Sequence, residues 1–139
     1  MKPWLTAFTV MGLLLSLGGC NVFLITGNTP TASDHLVVPS DMSNQRFFDC
    51  AELSISKLSE TNSSWQEVTL KDSTNGVLES GNFDDKNITG FRTRIERAQG
   101  ASEAQIVIKG GGPYFIDLGV AQAIKDLRTT LASCVSSPP

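Results

Sequence analysis

The chain is poor in the residues that most enzymes and metal sites are built from. It has a single histidine, His35, and three cysteines in 139 residues. A structural zinc site needs about four Cys or His ligands at short spacings, and no Cys-x-x-Cys pair is present. Charged residues make up 18%, below the roughly 25% of an ordinary soluble domain. Positive charge is not in excess: the net charge is -3 and the sequence pI is about 5.0. A nucleic-acid-binding domain usually shows a pI above roughly 9 or a basic stripe, so nucleic acid is not an expected partner. The length excludes a multi-domain enzyme and a polytopic membrane protein.

Catalytic constellations are equally scarce. His35 falls beside a polar linker, far from any Ser-His-Asp arrangement. Asp84 and Asp85 are neighbours in a turn and read as solvated. A calcium loop would need alternating acids and a glycine at fixed offsets. The run Lys109-Gly110-Gly111-Gly112-Pro113 lacks the Gly-Lys-Ser/Thr end of a phosphate loop and reads as a glycine hinge. The chain is therefore expected to be no enzyme and to carry no metal or cofactor. A small hydrolase working through carboxylates is the weakest of the readings considered.

What the chain has in excess is an apolar N-terminus. Lys2 supplies a positive start, Trp4 to Leu17 carries no charge, and Leu13, Leu14 and Leu15 form an apolar centre. Leu17-Gly18-Gly19-Cys20 follows, small residues ending in a thiol. This segment resembles the lipobox of bacterial lipoproteins. The resemblance implies that residues 1–19 are a cleaved signal peptide, that Cys20 is the lipid attachment site, and that Asn21 directs sorting to the outer membrane. Two or more acyl chains hold a protein stably at a bilayer, at about 0.8 kcal/mol per buried CH₂. The same apolar run, Leu5 to Ile25, also reaches the roughly 20 residues that an anchoring helix needs.

Residues 20–34 read as the lipidated Cys followed by a flexible tether, since Thr26 to Asp34 are small and polar without periodicity. Residues 35–135 read as one compact domain and 136–139 as a frayed tail. Ser40 or Ser43 can cap a first helix whose apolar stripe is Phe47, Ala51, Ile55 and Leu58, ending before Asn62. Val68 and Leu70 alternate with polar neighbours, and Asn75-Gly76 favours a tight hairpin into Val77–Phe83. Asp84 to Asn87 makes a second turn. Phe91, Thr93 and Ile95 share a strand face, and so do Ala104, Ile106 and Ile108 after a turn at Gln99–Ser102. Val120, Ile124, Leu127, Leu131 and Cys134 form the stripe of a final helix, with Asp117 at its start. The expected fold is α+β: a two-layer sandwich of about four antiparallel strands with two helices on one face, in the order helix, strands, helix. This order is similar to that of small uncharacterised envelope lipoproteins and carries no function with it.

With Cys20 assigned to lipid by the resemblance, Cys50 and Cys134 remain. Exported proteins fold in an oxidising compartment, and each of these cysteines lies on or near a helix stripe. A disulfide between them is expected, with two unpaired thiols as the alternative. Such a bridge spans 84 positions and restrains the unfolded chain by about 4.5 kcal/mol on the entropy model. On the sheet face away from the helices, Arg92, Arg94 and Lys109, with Gln105 and Val107, make a charged surface that could bind a partner through salt-sensitive contacts. Trp65 and Phe115 are candidate anchors, with a core role favoured for Trp65. The functional expectation is an outer-membrane-anchored, non-enzymatic accessory, assembly or protein-binding factor facing the periplasm, with an envelope protein as partner. The alternative is a ligand-binding or hydrolase-inhibitor module of the cell envelope.

Overall fold

A computed structural model describes residues 29–86 and 88–138. The expected signal peptide, Cys20 and the first part of the expected tether lie outside the described residues. The elements are β1 (Thr31–Val37), α1 (Asn44–Thr61), β2 (Val68–Asp72), β3 (Val77–Ser80), β4 (Gly90–Glu96), β5 (Glu103–Gly111) and α2 (Val120–Ser136), with a 3-10 turn at Pro113–Phe115 before α2. The five strands form one antiparallel sheet in the order β1-β5-β4-β3-β2.

The α+β class, the two helices and the antiparallel sheet are as expected. The strand count and the order are not, because the chain starts with a strand rather than a helix. Thr31 to Asp34, assigned from sequence to the tether, are the first four residues of β1. The strand escapes a hydrophobic pattern because its inward residues are Ala32, Asp34 and Leu36, paired with Ile108, Ile106 and Ala104. Only Leu36 is buried. Asp34 is satisfied by charge instead, with its Oδ2 at 3.6 Å from Arg128 Nε on α2. His35 points to the other face, where its Nδ1 lies 2.8 Å from Glu103 Oε1.

The helices form where the stripes place them. The Ser43 hydroxyl accepts from Arg46 N at 3.2 Å and caps α1. Asp117 Oδ1 accepts from Gly119 N and Val120 N at the start of α2. Phe47, Ala51 and Ile55 from α1 join Ile124, Leu127 and Leu131 from α2, and both stripes close over Leu78, Ile95, Ile106 and Ile108 of the sheet. Ten or so buried side chains of this size supply most of the drive to fold, at about 1.5–3 kcal/mol each before conformational entropy is set against them. Cys50 and Cys134 form a disulfide that joins α1 to α2, with Cα atoms 5.7 Å apart.

At β2 the expected alternation is interrupted. The β2–β3 register shifts between Val68 and Leu70, and such a bulge moves later side chains to the opposite face. Leu70 is consequently 43% exposed. Lys71 instead faces α1, where Nζ donates to Asp49 Oδ1 at 3.0 Å and Glu52 Oε2 at 2.6 Å. These two carboxylates raise the Lys71 pKa.

The molecule has two distinct poles. At one, the segment at Pro39–Asn44, the β2–β3 turn and the β4–β5 turn meet around Arg97. At the other, Thr29 and Pro30, where the described chain begins, meet Gly110, Gly111 and the start of α2.

Candidate functional site

The charged face of the sheet is not the open surface expected from sequence. Arg92 and Arg94 on β4 and Lys109 on β5 do lie on the side away from the helices, with Arg92 directly paired to Lys109. The segment after β3 folds back over them. Gly81 and Asn82 take positive φ values of 60° and 39°, which reverses the chain and drops Phe83 onto the cluster. A Cβ at Gly81 would stand 2.5 Å from Gln66 Cβ, so both backbone freedom and space require glycine there.

Phe83 is 4% exposed. Arg94 Cζ lies 4.2 Å and Lys109 Nζ 4.1 Å from its ring centroid, both within cation–π range. Its carbonyl oxygen accepts from Arg92 Nη1 and from Lys109 Nζ, each at 3.2 Å. Arg94 is held by Glu79 at 2.6 Å and Asp84 at 3.0 Å. Burial pushes the Arg92 guanidinium pKa down, and the charges of Asp85 and Asp84 oppose that shift. Burial also lowers the Lys109 pKa, and the neighbouring Arg92 charge adds to the effect.

This arrangement corrects the partner-binding assignment of Arg92. The side chain is only 1% exposed and its Nε is buried without a hydrogen-bond partner. It cannot reach a partner while Phe83 is in place. Arg94 and Lys109 remain partly accessible, but both are engaged by Phe83 and its neighbours.

Arg97 is also structural. It is 2% exposed, and Nη1 donates to Met42 O at 2.7 Å and Asn44 Oδ1 at 2.9 Å. Nη2 donates to Pro39 O at 3.0 Å and Nε to Ala101 O at 2.9 Å. One guanidinium therefore ties the strand from β4 to the segment leading into α1.

The best candidate for recognition lies at the opposite pole. Gly110 and Gly111 are not a hinge but the last residues of β5, both buried. A Cβ on Gly110 would come within 2.6 Å of the Phe91 ring and of Val120 Cγ1, so the strand can pass only as glycine. Beyond them the chain makes a tight loop, closed by Gly112 N donating to Ile116 O at 2.7 Å and Phe115 N to Gly112 O at 3.1 Å. Tyr114 and Phe115 both take left-handed backbone angles, with φ of 56° and 60°. Each such residue costs on the order of 1–3 kcal/mol, and surrounding structure must hold it there.

The conformation turns three large apolar side chains outward. Tyr114 is 96% exposed, Phe115 43% and Ile116 60%. Beside them is a cleft of about 270 Å³ lined by Thr29, Lys86, Thr89, Gly112, Tyr114 and Phe115. Sequence reasoning singled out Phe115 and passed over its two neighbours. The signal was present: three consecutive large apolar residues directly after Gly-Gly-Pro, between two elements and belonging to neither stripe. Trp65 is by contrast a core residue, 6% exposed with its ring 5.0 Å from that of Phe91.

Among the described residues, no three His, Cys, Asp or Glu side chains gather in a way that could hold a metal. No helix among them is long and apolar enough to cross a membrane. No protein-family model, curated protein or solved structure matches the chain.

Proposed function

We propose that this chain is a lipoprotein of the outer membrane, anchored through Cys20, that works without catalysis as an accessory or protein-binding factor on the periplasmic side. The observation that carries the non-catalytic, contact-making part of this reading is the Tyr114–Ile116 loop. A rigid, disulfide-braced domain holds three apolar side chains outward in a strained conformation, with Thr29, Lys86, Thr89 and main-chain groups around them. That is chemistry for contact rather than for bond-making. The lipobox-like Leu17-Gly18-Gly19-Cys20 supplies the anchor.

Labelled palmitate tests the anchor. Cys20→Ala is expected to accumulate as unprocessed precursor without label, and normal processing with membrane retention would remove the lipoprotein reading. Crosslinking in intact membranes is expected to capture an envelope protein. The alternative, a ligand-binding or hydrolase-inhibitor module, draws on the cleft of about 270 Å³. That is slightly below the usual ligand-pocket range of roughly 300–1,000 Å³. A small molecule or a hydrolase that co-purifies with the chain would favour it.

A further inference from the structure

We propose that the Tyr114-Phe115-Ile116 loop seats in the interfacial layer of the bilayer that holds the lipid on Cys20, so that the domain stands with this pole on the membrane. The inference rests on the lipid-anchor reading and names the partner of the loop.

Three observations converge on the bilayer, and a fourth sets the character of the contact. The first is apolar exposure. Among the described residues, Tyr114 is the most exposed large hydrophobic side chain, at 96%, and two more follow it directly. Contiguous apolar surface of this kind marks a site that something covers. The second is residue type. A tyrosine has an apolar ring and a polar tip, and such side chains concentrate at the headgroup level of membranes.

The third is where the chain comes in. Pro30 O accepts from Gly110 N at 2.9 Å, and Thr29 lines the same cleft as Tyr114 and Phe115. Cys20 is nine positions before Thr29. Even fully extended, that stretch spans at most about 30 Å. A lipid on Cys20 therefore keeps this pole within about 30 Å of the bilayer.

The fourth is charge. Lys86 borders the loop, but Asp84, Asp85 and Asp117 stand in the adjoining segments. The pole has no positive excess that would draw it to anionic headgroups, so the contact is apolar in character. A protein surface would have to supply an apolar pocket, whereas the lipid is already within reach. The opposite pole, with the Arg97 knot and the two tight turns, is then directed outward and free to meet an envelope protein.

The mature lipidated chain can be reconstituted in phosphatidylethanolamine vesicles, with and without phosphatidylglycerol. Tyr114→Trp places a reporter at the tip of the loop, and Ile116→Trp repeats the measurement at its far side. Trp65 is 6% exposed and serves as the internal background. Brominated acyl chains are expected to quench the loop tryptophan about twofold more than the native protein, as for a residue at the membrane interface. Neither added phosphatidylglycerol nor high salt should change this.

Loop tryptophans reached by aqueous iodide but not by bromolipid, in protein that carries palmitate, would overturn the inference and leave the anchor standing. Loop tryptophans shielded from both iodide and bromolipid, increasingly so as protein density rises, would overturn the inference and assign the loop to a second copy instead. Absence of palmitate together with absence of vesicle binding would remove the anchor, and the inference with it.

Discussion

Two arginines separated by five positions show how differently a buried guanidinium can be used. Arg97 has hydrogen-bond partners on Nε, Nη1 and Nη2. Arg92 has one bond, to Phe83 O, and an Nε with no partner. Removing Arg97 orphans the carbonyls of Met42 and Ala101 at once and takes one of two donors from Pro39 O, and hydrogen bonds to a charged group contribute about 1.5–3 kcal/mol each. Arg97→Ala is therefore expected to lower the unfolding free energy by about 3 kcal/mol or more, with the bonds counted non-additively. Replacing Arg92 with methionine keeps an apolar stem under Phe83 and removes an unsatisfied charge, so the cost is expected to stay below about 1 kcal/mol. Urea unfolding with the disulfide intact measures both, and the reverse ranking would refute the account. This difference was not legible in the sequence. Both residues read as cationic groups on or beside one strand face. Three of the four Arg97 acceptors are main-chain carbonyls, two of them more than fifty positions earlier, and main-chain groups leave no mark in a pattern of side chains.

At the scale of elements, legibility followed one-sided burial. The stripes of α1 and α2, and the alternation in β4 and β5, were readable because each has one face in the core and most of its hydrophobic residues on that face. Two strands broke the rule. In β2 a bulge reverses which face Leu70 and Lys71 take, and no residue type announces it. In β1 only one inward side chain is buried, because an edge strand beside α2 is held by its ladder to β5 and by the Asp34–Arg128 pair. The contrast between strand and tether can be tested directly. Deleting Thr31–His35 from a tether would leave stability unchanged. Removing them from β1 strips β5 of its partner from Lys109 to Gln105 and leaves Ile106 and Ile108 at an unprotected edge. A loss of about 3 kcal/mol or more, with aggregation on concentration, is the expected outcome in guanidinium unfolding and light scattering.

For the molecule as a whole, the disulfide and the exposed loop sit at opposite ends. Cys50 lies in the second turn of α1 and Cys134 in the last turn of α2. Arg46 Nη2 donates to Ser137 O at 3.0 Å and marks the same end. The helices run antiparallel, so this end is the Arg97 pole, and the Tyr114–Ile116 loop lies at the other, beyond β5 and the start of α2. The bridge acts chiefly on the unfolded chain, where it closes 84 positions of sequence. The native packing of Leu127 and Leu131 on Phe47 and Ile55 does not depend on it. Cys50→Ala with Cys134→Ala is thus expected to cost about 2–5 kcal/mol, towards the upper part of that range for so long a closure. Guanidinium titration reads this loss, and a change under about 1 kcal/mol would mean that the chain-entropy account fails here. The loop should be unaffected: below the unfolding transition, a tryptophan at position 114 is expected to show the same accessibility with and without the bridge. A shift there in folded protein would show that the two poles are coupled through α2, and that the brace also sets the shape of the surface it was thought only to support.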